Sequence, residues 1–175
     1  MSMAYSLPLF RIWGRVGGLR QVPGLKLFHI AIVWSLSSVG LPVIELWASG
    51  VAVDWFVAGY LAVLKILFLM ICCLPFDIRD MQQDSYYHLK TIPHLIGERR
   101  SKNLCYLFSL IHVLLVMVAP YTLAVKAGII TTNILIVLLL RYYLFRKENQ
   151  FHDVYLLDAA LIVQYLLVLF FSQIV

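Results

Sequence analysis

Runs of predominantly apolar residues at 27–48, 51–74, 103–125, 127–146 and 155–175 account for most of this 175-residue chain. Each is close to the ~20 residues an α-helix needs to cross a bilayer, where every backbone polar group must be satisfied within the segment itself. The expected fold class is therefore all-α: a polytopic transmembrane helix bundle of about five spans, with no separate soluble domain.

Composition agrees with that reading. Only 13% of residues are charged, 62% are hydrophobic and the mean hydropathy is +0.89, whereas about a quarter of an ordinary soluble domain is charged. The net charge of +5 does not mark a nucleic-acid binder, because the 14 Lys and Arg residues lie mostly in the connections and form no basic face. Their distribution alternates. Arg11, Arg15, Arg20 and Lys26 precede the first span, and residues 49–53 carry none. Arg79, Lys90, Arg99, Arg100 and Lys102 follow the second span; Lys126 alone separates the third from the fourth, and Arg141, Arg146 and Lys147 come next. Under the positive-inside rule this places the N-terminus and the connection 75–102 in the cytoplasm and the C-terminus outside.

Cys72, Cys73 and Cys105 lie in or at the ends of apolar runs and form no C-x-x-C pair, so they read as packing residues. The segment 1–26 contains Pro8, Gly14, Gly17, Gly18, Pro23 and Gly24, which favours a loop or a short interfacial piece over a long helix. No cleavable signal peptide is expected, since the apolar run before Arg11 is short and broken by Pro8. Within the spans, Lys65 is costly at ~3 kcal/mol on insertion scales. It either faces an interior cavity or snorkels along its helix. Gly128, Asn133, Asp158 and Gln164 are expected to face other helices.

The chemistry concentrates in residues 72–97, "CCLPFDIRDMQQDSYYHLKTIPHLIG". Asp77, Asp80 and Asp84 are spaced i, i+3, i+7, so they fall within a ~60° sector if the second helix continues past Pro75. Three carboxylates on one face repel unless something positive sits among them. Short oxygen ligands of this kind suit Mg²⁺, usually bridged to phosphate oxygens, and adjoining apolar helices can bury a lipid tail. On spacing alone, a solvated connection whose charges only set topology explains the pattern equally well.

The string Pro75-Phe76-Asp77, Asp80, Asp84, Lys90-Thr91-Ile92-Pro93 and Gly97 resembles the second aspartate-rich motif of the UbiA superfamily of intramembrane prenyltransferases. In that family the motif joins the sixth and seventh helices on the cytoplasmic side. Residues 18–34 and 156–169 are similar to the start of the family's fifth helix and to its last. The resemblance covers residues 5–175 and makes 1–175 a single partial UbiA-like transmembrane domain.

It implies that Asp77, Asp80 and Asp84 hold Mg²⁺ against an isoprenyl diphosphate, that Lys90 and Arg79 bind diphosphate oxygens, and that an aromatic or other lipophilic acceptor takes the prenyl group. His88 departs from the family pattern, which often has glycine there. The family's first motif, of N-x-x-x-D type, has no counterpart in place; Asn149 to Asp153 has the spacing but the wrong location, and His152 beside it reads as solvated. The expected partners are thus the bilayer, the two substrates, and a separate N-terminal half or a second copy. The competing expectation is a catalytically inactive membrane protein that binds lipid or serves as an interaction subunit. A small transporter or channel subunit is the third, resting on Lys65 and Asp158.

Overall fold

The computed structural model describes residues 10–12, 15–17, 24–86, 91–145 and 157–174. The described N-terminal residues form a short antiparallel pair, β1 (Phe10–Ile12) with β2 (Arg15–Gly17), in which Arg11 faces Val16 in register. The regular elements described after it are all helices: α1 (Leu25–Ala48), α2 (Trp55–Arg79), α3 (Met81–Tyr86), α4 (Ile92–Ile96), α5 (Glu98–Val118), α6 (Leu123–Leu144) and α7 (Ala160–Ile174).

Among the described residues four helices, α1, α2, α5 and α6, are long and apolar enough to cross a membrane, while the described α7 is apolar but shorter than a full span. Their outward faces carry Trp34, Leu41, Trp47, Phe56, Leu114, Val118, Leu123 and Phe170, all exposed. So much exposed apolar surface on every long helix is incompatible with water and fits a multi-pass membrane protein.

The helices differ from the expected spans for local reasons. The break expected at Lys126 lies instead at 119–122, because Pro120 cannot continue α5 and the Thr122 side chain accepts from the Val125 amide at 3.4 Å to start α6. Lys126 falls in the first turn of α6, where its ammonium donates to the Met117 carbonyl at 2.9 Å. The second span does run through Pro75, ending at Arg79. α1 contains a π-turn at Leu36–Gly40 just ahead of Pro42. Ser37 and Ser38 both donate to the Trp34 carbonyl there, at 3.0 and 2.7 Å, covering an acceptor the widened turn exposes.

Around the bundle, α1 packs on α2, α2 on α5, α5 on α6 and α6 on α7. The main core gathers Leu27 and Ala31 of α1, Phe68, Ile71 and Leu74 of α2, Cys105 of α5, Ile136 and Leu140 of α6, and Leu157 and Ala160 near the start of α7. The three cysteines are free, Cys72 and Cys105 fully within this packing. Gly128 explains how closely α6 meets α7: a Cβ there would lie 2.7 Å from the Val168 Cα. Polar glue is internal. Ser35 donates to the Ala62 carbonyl at 3.0 Å, Tyr60 to the Leu115 carbonyl at 2.6 Å, and Asn133 joins Ser109 to His112 between α5 and α6.

Candidate functional site

The acidic connection begins as the last turn of α2. Asp80 caps that helix with φ −86° and ψ 7°, and the chain re-enters helix at Met81. This turn divides the expected carboxylate face. Asp77 and Asp84 are buried, at 3% and 6% exposure, and both point at Lys26, whose Nζ lies 3.2 Å from Asp77 Oδ1 and 3.4 Å from Asp84 Oδ2. Asp80 is instead engaged by its neighbour: Arg79 Nε lies 2.6 Å from Oδ1 and Nη2 3.0 Å from Oδ2, a two-pronged fork. The Arg79 guanidinium also stacks 5.2 Å from the centroid of Phe76.

Lys26 is therefore the positive group the carboxylates require. Sequence reading placed it only among the basic residues that flank the first span, since nothing local links it to a motif in another helix. Its placement depends on Gly24, which starts α1 at φ +75° and lies under Ile92, whose Cγ1 is 3.0 Å from the position of a Gly24 Cβ. Ile92 thus packs against the start of α1, two residues before Lys26. Thr91, buried, hydrogen-bonds the His94 ring at 2.8 Å and orders the short α4. Lys90 and His88 lie outside the described residues, as do Asn149, His152 and Asp153.

Lys26, Asp77, Asp80 and Asp158 share the wall of a cavity of about 450 Å³ bounded by α1, α2 and the start of α7. The rest of its lining is apolar, including Trp34, Leu69, Phe76 and Leu161. Asp158, expected only to face another helix, is thus a fourth polar group at this opening, while Asp84 stands behind Lys26 and does not line it.

One atom is left over. Asp77 Oδ2 is buried and has no hydrogen-bond partner among the described residues. A buried carboxylate oxygen in that state costs on the order of 1–3 kcal/mol, more when charged, unless a ligand or water meets it. Among the described residues no three His, Cys, Asp or Glu side chains converge on one point. The donors thus do not form an all-protein cage of three aspartates, because Lys26 stands on one oxygen each of Asp77 and Asp84. Both Asp80 oxygens are held by Arg79, so among the described aspartates the carboxylate oxygen left to meet a cation or a water is Asp77 Oδ2.

Comparison with family models, curated proteins and solved structures returns no match for this chain.

Proposed function

We propose that this chain is the C-terminal portion of a UbiA-like prenyltransferase, transferring an isoprenyl group from an isoprenyl diphosphate to an aromatic or other lipophilic acceptor. The observation that carries this reading is a cavity with Lys26, Asp77, Asp80 and Asp158 on its wall and an otherwise apolar lining, beside the buried and unpartnered Asp77 Oδ2. A molecule with a phosphorylated head and a hydrocarbon tail matches both parts of that lining.

In this reading Asp77 is the residue that holds Mg²⁺, and when bound the metal offsets the charge on the departing diphosphate. Lys26 and Arg79 hold the aspartates in register and add positive potential where that charge accumulates. The C1–O bond breaks with its electron pair leaving on diphosphate, the acceptor's electron-rich carbon bonds to C1, and the acceptor then loses a proton. Trp34 and Phe76 line the same cavity and help to keep water away from the allylic cation. The chain crosses the membrane about five times with its N-terminus and the acidic connection in the cytoplasm, a topology supported by the alternation of basic and non-basic connections. The opposing carboxylate cluster comes from outside these 175 residues, for which a separate N-terminal half or a second copy are the candidates.

The test uses membranes containing the chain, labelled isoprenyl diphosphate, Mg²⁺ and a panel of lipophilic acceptors, with and without a co-expressed candidate N-terminal half. Mg²⁺-dependent transfer that disappears in Asp77→Asn supports the reading; absence of labelled product under every condition overturns it.

A second reading is favoured by the same ion pairs. Lys26 pairs with both Asp77 and Asp84 and ties α1 to α2 and α3, which is sufficient reason for these residues in a non-catalytic lipid-binding or interaction subunit. In that case Asp80→Ala leaves partner and lipid binding unchanged.

A further inference from the structure

A second cavity, of about 340 Å³, lies between α1, α2, α5, α6 and α7, nearer the middle of α2 than the first. Its polar lining is different in kind. Lys65 of α2, His112 of α5, Tyr121 of the α5–α6 connection and Gln164 of α7 border it, and no Asp or Glu does so among the described residues. Lys65 is ~18 Å along the α2 axis from Asp77 at ~1.5 Å rise per residue, near the middle of the span, where an ammonium is expensive without a partner. Lys65 makes no hydrogen bond or ion pair with any described residue. The Tyr121 hydroxyl is buried and likewise without a hydrogen-bond partner there.

His112 is set up as a donor by its neighbours. Ser109 donates to Asn133 Oδ1, which turns the Asn133 amide nitrogen toward His112 Nδ1 at 2.9 Å. With Nδ1 accepting, the neutral ring carries its proton on Nε2. The ring is held by Phe68, 5.7 Å between centroids. The cavity is thus bordered by an ammonium, an imidazole N–H, a phenol and an amide. Each of these groups can donate a hydrogen bond, and among the described residues no carboxylate borders the cavity.

We infer that this cavity binds the anionic head, a carboxylate or a phenolate, of a membrane-dissolved amphiphile, with Lys65 as its counter-charge and Tyr121 and His112 as hydrogen-bond donors. Such an anion neutralises Lys65 at a depth where water cannot, and the apolar residues Leu61, Leu64 and Ile129 take the first carbons of its chain. This site is separate from the acidic end: Leu161 borders both cavities, but no charged group is common to the two. It stands whether or not the acidic end transfers a prenyl group.

The experiment uses the full chain in detergent micelles and a long-chain fatty acid bearing a photoreactive diazirine near its carboxylate. After irradiation, labelled peptides are mapped by mass spectrometry, with and without unlabelled fatty acid or the corresponding fatty alcohol as competitor. The expected result is labelling around residues 61–65, 121–129 and 161–168, at least about tenfold better competition by the acid than by the alcohol, loss in Lys65→Met and retention in Lys65→Arg. Lys126→Met, which removes a cation outside this cavity, should label as the wild type does. Equal competition by acid and alcohol overturns the inference on wild-type protein alone, whatever the folding of the variants. Unchanged labelling of Lys65→Met, or labelling spread evenly over the lipid-facing helices, overturns it too.

Discussion

Lys26 Nζ stands 3.2 Å from Asp77 Oδ1, joining the first turn of the first long helix to the last turn of the second. The same ammonium reaches Asp84 across the break at Asp80. A single side chain from a segment otherwise marked only by its positive charge therefore sets the geometry of the acidic connection.

Replacing that lysine leaves two buried carboxylates facing each other. Breaking a buried pair costs about 3–5 kcal/mol, and because the Lys26 side chain is 34% exposed the cost here is discounted to about 2 kcal/mol. Lys26→Met should lower the thermal midpoint in detergent, and Lys26→Met with Asp77→Asn should recover most of the loss. A double variant as unstable as the single one contradicts the role given to this pair.

The cavity distinguishes among the three aspartates. Asp77 and Asp80 line it and Asp84 does not. Under the proposed function, Asp77→Asn and Asp80→Asn should each weaken Mg²⁺-dependent binding of labelled isoprenyl diphosphate by about 10–100-fold. Asp84→Asn acts only through Lys26 and should cost about tenfold or less. Equilibrium binding in nanodiscs checks the order; an Asp84 effect larger than that of Asp77 would exclude it.

Gly24 carries a conformational demand as well as a steric one, with φ +75° and Ile92 Cγ1 at 3.0 Å from a would-be Cβ. Gly24→Ala should destabilise by about 1–2 kcal/mol, the cost of holding an L-residue in the left-handed region. Ile92→Ala added to it removes the Cγ1 contact but not the backbone strain, so chemical denaturation should show only partial recovery.

At Gly128 the obstacle is backbone. A methyl group would meet the Val168 Cα at 2.7 Å and Cγ2 at 2.8 Å, so Gly128→Ala must push α7 away from α6. An overpacking cost of about 1–3 kcal/mol is expected. Val168→Ala removes only the Cγ2 clash and should restore a minority of it, read as a partial return of the thermal midpoint.

Asn133 bridges Ser109 and His112 inside the bundle. Asn133→Leu strands both partners in an apolar setting and should cost about 1–2 kcal/mol, the upper range for such bonds between membrane helices. It should also weaken the fatty-acid labelling proposed for the Lys65 cavity, because the His112 ring loses the acceptor role that leaves its Nε2 protonated. Normal stability in that variant would remove Asn133 from the network.

Much of the helical architecture was legible along the chain, because span length and apolarity are local sums that a bilayer reads segment by segment. The long helices fall where the apolar runs do, and Pro120 shifts one boundary by a rule visible in the sequence. The i, i+3, i+7 spacing located the acidic connection, yet it overestimated the common face, since the turn at Asp80 hands that residue to Arg79. Asn133 and Gln164 were identifiable as polar residues that meet other helices without any indication of what they would meet there, whereas Asp158, expected to do the same, is exposed in the turn ahead of α7. Lys26 opposite Asp77, Lys65 and Tyr121 on the wall of one cavity, and Gly128 against Val168 belong to a different class of fact. Each depends on which helices adjoin and at what rotation. Hydropathy is indifferent to both, whereas ion pairs acting over about 3 Å and contacts between methyl groups are not.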